Sequence, residues 1–137
     1  MAIRGWAAFG LVGAFALTSV TASGEPAINV PMAEDGYTLS VFATSPAGHT
    51  KPDSIAVFEG QIYIDYGDGN APDGSDGKSS TIVEYDRSGN VVYSFSVKGH
   101  NDGMKVNPCT EKLWVLQNEG ANPGLVVFDP ESRILVG

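Results

Sequence analysis

Residues 52–66, PDSIAVFEGQIYIDY, and residues 101–118, NDGMKVNPCTEKLWVLQN, share one order of features. In each stretch an aspartate precedes a short aliphatic run, a turn follows, and a second apolar run carries an aromatic residue at its centre. Tyr63 in the first stretch corresponds to Trp114 in the second. Apolar runs of period two on either side of a Gly- or Pro-containing turn are typical of β-hairpins. The chain is therefore predicted to repeat an antiparallel β-unit.

The same residue types continue beyond these two hairpins. β-branched and aromatic residues alternate with polar ones, and Gly, Asn, Pro and Ser mark the turns. The predicted strands are 37–43, 54–58, 61–66, 81–86, 91–97, 103–107, 112–118, 124–129 and 134–136. Residues 81–95 align with residues 125–136, so a unit of four strands recurs after about 45–50 residues. The predicted fold is all-β, with antiparallel four-stranded units of the size of one β-propeller blade.

Residues 1–22 have the pattern of a secretory signal peptide, since Arg4 stands in a short charged start and an uncharged apolar run follows it. Predicted cleavage lies after Ala22, with Ser23 as the next candidate. The apolar run of about 16 residues is shorter than the roughly 20 residues that a membrane span needs, and an uncleaved anchor is the alternative. The chain is thus predicted to be exported, to the periplasm or the extracellular space.

Residues 23–36 contain two prolines and no period, which predicts a flexible lead-in before a folded part at residues 37–137. Without Arg4 the chain keeps 7 basic against 16 acidic side chains, a net charge of about −9. Such a surface argues against nucleic acid and anionic lipid as partners. It is compatible with cations, neutral sugars or basic partners, and equally with solubility alone.

Cys109 is the single cysteine of the chain. It excludes an intrachain disulfide and a cysteine-based zinc site. Its setting, NPCTEK, predicts a turn, where the thiol is either incidental and exposed or pairs with another chain.

Residues 52–64, PDSIAVFEGQIYI, resemble the NHL repeat, whose core is P-x-G-I-A-V-D-x-x-G-x-I-Y-V. Over residues 37–136 the chain is similar to NHL proteins and to six-bladed propellers of the SMP-30/gluconolactonase group. It departs from the pattern at Asp53-Ser54, where the family has x-Gly, and at Phe58, where the family often has Asp. The resemblance implies about two blades of a β-propeller, which is an incomplete ring. A closed ring typically needs four to eight blades, which predicts a truncated product, a gene fragment, or a piece that assembles with copies of itself.

The alternation of strand direction predicts that the longer connections share one end of the sheets and the tight turns the other. The longer connections are 45–53, 67–80, 98–102 and 118–124. His49 and His100 each follow a glycine and precede the innermost strand of a unit. Both are therefore predicted to point towards the ring axis on the same side, with Asp53, Asn101 and Asp102 at the mouth of the channel.

Imidazoles with carboxylates suit zinc, and carboxylates with amide oxygens suit calcium. In the families that this chain resembles, the same face holds the metal: SMP-30-like lactonases use Glu, Asn and Asp there, and lyases related to NHL propellers use histidines around zinc. The predicted cofactor is a divalent cation, calcium or zinc. The candidate ligands are His49, His100, Asp102, Asp68, Asn70 and Asp73. The alternative for the histidines is that they hydrogen-bond the crossing between units.

The segment from residue 67 to residue 80 is longer than a usual hairpin loop, which favours a binding role. It does not match an EF-hand, because Pro72 stands at a ligand position when the loop starts at Asp68, and Lys78 stands at the glycine position when it starts at Asp73. A solvated rim loop and a looser calcium site remain as alternatives. The calcium site would use Asp65, Asp68, Asn70 and Asp73.

The leading functional hypothesis is an exported repeat scaffold whose loop-bearing face binds a small molecule or a protein. The alternative is a fragment of a metal-dependent hydrolase or lyase, of the gluconolactonase or NHL type, that is inactive until the ring is completed. A truncated product without activity is the third. Tyr63, Tyr85 and Trp114 are predicted to pack against neighbours rather than to bind ligands, and Phe95 and Phe128 are predicted to lie in the core.

Overall fold

The computed structural model describes residues 31–117 and 123–137. Within them the protein is all-β, and no helix is present. The strands are β1 (Pro52–Phe58), β2 (Gln61–Tyr66), β3 (Ser79–Tyr85), β4 (Val91–Lys98), β5 (Asn101–Asn107), β6 (Lys112–Gln117), β7 (Gly124–Asp129) and β8 (Ile134–Leu135). They form two antiparallel four-stranded sheets, sheet 1 in the order β1-β2-β3-β4 and sheet 2 in the order β5-β6-β7-β8. The part of the chain that the structure describes contains no helix of the length and apolarity that a membrane span requires.

Eight of the nine predicted strands are confirmed with boundaries that differ by at most two residues, and the one at residues 37–43 is wrong. That segment is irregular, although its residue types alternate. Alternation alone does not make a strand, which also needs a neighbour for its backbone hydrogen bonds. Phe42 and Ala43 instead pack beside sheet 1, where the Phe42 ring meets the edge of Tyr85 at a centroid distance of 6.0 Å. The predicted signal peptide and residues 23–30 lie outside the described residues.

The tight turns have local chemical causes. Glu59 and Gly60 have φ of 48° and 82°, the left-handed pair that a two-residue hairpin of type I′ requires. The other three tight turns begin with Asp or Asn, and the side-chain oxygen of this residue accepts a hydrogen bond from the backbone N–H two residues later in the chain. These bonds join Asp86 to Ser88 at 2.8 Å, Asn107 to Cys109 at 2.9 Å and Asp129 to Glu131 at 3.1 Å. Cys109 is exposed in its turn.

The two sheets pack against each other through one face each. Alternate side chains on all four strands of sheet 1 meet alternate side chains of sheet 2, because the pleat sends every second residue to the same face. The buried cluster comprises Ala56, Tyr63, Ile82, Val97, Met104, Leu113, Val115 and Phe128. Phe95 of β4 stacks on Phe128 of β7 with centroids 3.9 Å apart. Burial of the ring raises the pKa of Tyr63 to about 12, as expected for a core tyrosine.

One ion pair also joins the sheets. The Arg133 guanidinium lies 3.5 Å from the buried carboxylate of Glu84 and 4.8 Å above the ring of Tyr93. The pairing matters because an uncompensated carboxylate in the sheet interface would be costly.

The predictions for the aromatic residues are confirmed for the core of the chain but not for Trp114. Tyr63, Tyr85 and Phe128 are buried, and Phe95 is half-buried against them. Trp114 lies on the opposite face of sheet 2 from the core and remains 39% exposed. This face has no covering element among the described residues, which is why a side chain at a packing position is left in solvent.

Replacement of Phe128 by alanine is expected to lower the free energy of unfolding by about 3–5 kcal/mol, because it leaves a cavity between the two sheets. Val91→Ala, at an exposed position of β4, is the matched control and is expected to change it by less than about 1 kcal/mol. Urea unfolding followed by tyrosine and tryptophan fluorescence measures both. Equal losses for the two variants would contradict the packing described here.

Candidate functional site

The long connections meet at one end of the sheets, as predicted from strand alternation. The N–H of Gly67 donates to the carbonyl of Lys51 before β1 at 3.0 Å, and the N–H of Ser80 donates to the carbonyl of Gly99 before β5 at 3.0 Å. The connection between β2 and β3 is therefore held on one side by the segment that enters sheet 1 and on the other by the crossing into sheet 2. The predicted connection at 118–124 lies mostly outside the described residues.

His49 is held by the loop rather than by the crossing. Its Nδ1 donates to Oδ2 of Asp68 at 3.0 Å, and the N–H of Thr50 donates to Oδ1 of the same carboxylate at 2.9 Å. Desolvation opposes ionisation of Asp68, but hydrogen bonds from Thr50, His49 and Thr81 outweigh it and lower the pKa of this carboxyl. The Asp68 carboxylate thus fixes the approach to β1 against the loop.

The side chain of Asn70 fixes the second histidine, His100. Asn70 is 6% exposed, and its Nδ2 donates to the carbonyl of Gly99 at 2.8 Å and to Oγ of Ser80 at 3.0 Å. Since a carbonyl oxygen only accepts, this end of the amide must be the NH₂ group. The amide oxygen therefore faces Nδ1 of His100, at 2.8 Å, and this ring nitrogen carries the hydrogen. In the neutral imidazole the unprotonated nitrogen is then Nε2.

Three potential metal ligands come together around this ring. Nε2 of His100 lies 3.7 Å from Oδ1 of Asp102, and one ligand atom each from Asp53, His100 and Asp102 lie within 4.8 Å of one another. Ligand atoms at about 2.0–2.2 Å from a tetrahedral zinc ion are roughly 3.3–3.6 Å apart. Asp53 and Asp102 are exposed, so their side chains have room to move by the roughly one ångström that separates the observed spacing from this geometry.

A buried carboxyl lies beside the cluster. Asp65 is 0% exposed and its Oδ1 accepts from Nδ2 of Asn101 at 3.1 Å. Oδ2 of Asp65 and Oδ1 of Asn101 have no hydrogen-bond partner among the described residues. Burial raises the pKa of Asp65 to about 7, the bond from Asn101 opposes the rise, and the charges of Asp53, Asp68 and Asp102 add to it. This end of the protein therefore has an excess of negative charge.

The remaining aspartates of the loop hold its own turns. Oδ1 of Asp73 accepts the N–H of Ser75 at 3.0 Å, which lowers the pKa of Asp73. Oδ2 of Asp76 accepts the N–H of Ala71 at 2.9 Å. A local role of this kind is the usual one for aspartate in a turn.

The candidate ligands divide into two groups. His100 and Asp102 belong to the cluster, and Asn70 orients the imidazole from behind. His49, Asp68 and Asp73 lie outside the cluster, and among the described residues each has the partner given above. The two histidines share one end of the sheets, but His49 bonds to Asp68 of the loop and His100 bonds to Asn70.

Two residues beyond the six candidate ligands also lie in the cluster or beside it. Asp53 is predicted at the mouth of the channel, and its correspondence with Asp102 at the start of the repeat is the signal that it belongs with that residue. Asp65 is a candidate only in the looser calcium site, and in the structure it is a buried carboxyl bonded to Asn101. The signal for this was its inward-facing position in the alternating strand QIYIDY.

Comparisons of the chain with protein-family models, with curated proteins and with solved structures find no match. The proposals below therefore rest on the geometry of this chain.

Asp65→Asn is expected to stabilise the protein at pH 8, by an amount on the order of a few kcal/mol, and to have little effect at pH 4. The pKa of Asp65 is raised to about 7 in the folded state, so ionisation of this carboxyl opposes folding. Its destabilising effect on the free energy of unfolding is absent below pH 4 and grows as the pH rises towards 7. The amide removes this loss. Urea unfolding between pH 4 and pH 8 measures it.

The control for that series is Asp86→Asn, at an exposed turn where hydrogen bonds from Asn90 lower the pKa of the carboxyl. Its effect has the opposite sign, a loss of stability at neutral pH that shrinks as the pH falls below 4. A parallel pH dependence for the two variants would contradict the assignment of Asp65.

Proposed function

We propose that the loop-bearing end is the ligand-binding face of an exported, propeller-type repeat domain, and that it binds a divalent cation through Asp53, His100 and Asp102. The observation that carries this proposal is the orientation of His100. Because Asn70 accepts the hydrogen of Nδ1, Nε2 keeps the lone pair in the neutral ring, and it lies 3.7 Å from Oδ1 of Asp102. Two electron-rich groups that face each other at 3.7 Å are stabilised by a positive charge between them, either a proton or a metal ion.

The residue types favour zinc over calcium. Calcium takes six to eight oxygen ligands, whereas one imidazole nitrogen and two carboxylates match the smaller set that zinc accepts. The Asn70–His100 bond is the outer contact that metal-binding histidines generally make through the other ring nitrogen. The carboxylates of Asp53, Asp68 and Asp102 lie close enough to Asp65 to add to the rise of its pKa that burial causes, and this concentration of negative charge favours cation binding at this end.

Two features support the interpretation of the sheets as propeller blades. Each is a four-stranded antiparallel meander in chain order, and β1 of sheet 1 contacts β5 of sheet 2. Asp53 and Asp102 stand at equivalent places, at the start of β1 and β5. In a ring of such units the innermost strands line the channel, so the cluster would lie at its mouth.

A second candidate function is metal-dependent hydrolase or lyase activity of the SMP-30/gluconolactonase or NHL type, with this chain as one part of the ring. The specific observation in its favour is a set of three protein ligands, since catalytic zinc sites keep an open fourth position for water or substrate. Asp65, with its pKa of about 7, is a carboxyl that can exchange a proton near neutral pH at this end.

Titration calorimetry of the purified chain with zinc and with calcium tests the proposal. Zinc is expected to bind in one-to-one ratio, and His100→Ala is expected to weaken it at least tenfold. Asn70→Ala leaves the three ligands in place but removes the bond that orients the imidazole, and a loss of about 10- to 100-fold is expected.

His49→Ala is the matched control, because His49 lies at the same end but bonds to Asp68, and it is expected to retain zinc binding. An equal loss in the two histidine variants, or no zinc binding by the native protein, would contradict the proposal. Lactone turnover by the zinc-loaded protein that is lost in His100→Ala would favour the enzyme over the scaffold, and binding without turnover would favour the scaffold.

A further inference from the structure

Each sheet has a second face, opposite the one that forms the core. On sheet 1 the second face includes Ile55 and Val57 of β1, which are 62% and 63% exposed. On sheet 2 it includes Trp114, Leu116 and Leu125, which are 39%, 56% and 41% exposed. We call these the β1 face and the Trp114 face. Together they leave apolar side chains of five strand positions in solvent among the described residues, and contiguous exposed apolar faces often mark interaction sites.

The Trp114 face is equivalent to the face of sheet 1 that is already buried. Trp114 corresponds to Tyr63 in the repeat, and Leu125 corresponds to Ile82. Tyr63 and Ile82 are 2% and 0% exposed because sheet 2 covers them. Among the described residues, the Trp114 face therefore lacks the cover that sheet 2 provides for the equivalent face of sheet 1.

The β1 face is equivalent to the face of sheet 2 that provides such a cover. In the alignment that matches Asp53 with Asp102, Ile55 corresponds to Met104 and Val57 to Val106. Met104 is buried in the interface between the sheets, and Val106 packs against it. Phe42 and Ala43 lie beside the outer part of sheet 1, at Tyr85, and leave Ile55 and Val57 of the innermost strand exposed.

We propose that the Trp114 face of one molecule binds the β1 face of a second copy of this chain. The contact would continue, between molecules, the interface that joins sheet 1 to sheet 2 within one molecule. Its occupant is a second copy because the chain itself carries counterparts of both sides of that interface, the Trp114 face on sheet 2 and the exposed β1 positions on sheet 1. The inference is independent of the metal site.

The two faces differ, so the association is head-to-tail rather than two-fold. A head-to-tail interface either closes into a ring or grows into a filament. Since closed rings of four-stranded sheets contain about four to eight sheets, a closed assembly would contain about two to four copies. The loop-bearing ends of all copies would then lie on one side of the ring.

Sedimentation velocity of the full chain over a range of concentrations tests this proposal. The native protein is expected to form a discrete oligomer of two to four copies. Trp114→Glu, which blocks one face, and Val57→Glu, which blocks the other, are each expected to raise the dissociation constant at least tenfold. Thr110→Glu adds the same charge in the β5–β6 turn, away from both faces, and is expected to associate like the native protein. Circular dichroism confirms that each variant keeps its β-structure.

Mixing the two blocked variants gives the sharpest result. Each retains the face that the other lacks, so an equimolar mixture is expected to form a one-to-one dimer and no larger species. A native protein that is monomeric at all concentrations, or a mixture that stays monomeric while the native protein associates, would overturn the proposal. A face that normally binds a different protein would give the first of these results.

Discussion

The orientation of one buried amide determines the chemistry of the loop-bearing end. Asn70 can satisfy the carbonyl of Gly99 only with its NH₂ group, so its oxygen must face the imidazole of His100. The same side chain ties the long connection between β2 and β3 to the crossing between the sheets. Loop position, histidine tautomer and the direction of Nε2 thus follow from a single set of hydrogen bonds, and the cluster with Asp53 and Asp102 depends on all three.

The sheets supply the rigidity on which this arrangement depends. Alternating apolar residues place Tyr63, Ile82, Leu113 and Phe128 in one shared core, and burial of apolar area is the main source of stability for such a pair of sheets. The core fixes where β1 and β5 begin, and the proposed ligands Asp53 and Asp102 stand at those two positions. A site divided between two sheets therefore requires that the sheets do not move against each other.

Sequence patterns predicted most of the fold, because strand alternation and turn residues act locally. Eight strands, their order in the repeat and the common end of the two histidines follow from them. The error at residues 37–43 has a nonlocal cause, since that alternating segment finds no strand to pair with. The partners of His49, Asp68 and Asp73 were also beyond prediction, because the path of a long loop depends on contacts between residues distant in sequence. Trp114 occupies a position that is buried in sheet 1, but none of the described residues covers it in sheet 2.

The most direct test of the central claim is nitrogen NMR of the two imidazoles during a zinc titration. If Asn70 orients the imidazole, Nδ1 of His100 is expected to stay protonated, its Nε2 signal to shift to the position of a metal-bound nitrogen, and His49 to stay unchanged. Zinc binding through Nδ1 of His100, or an equal shift of both histidines, would show that Asn70 does not set the site.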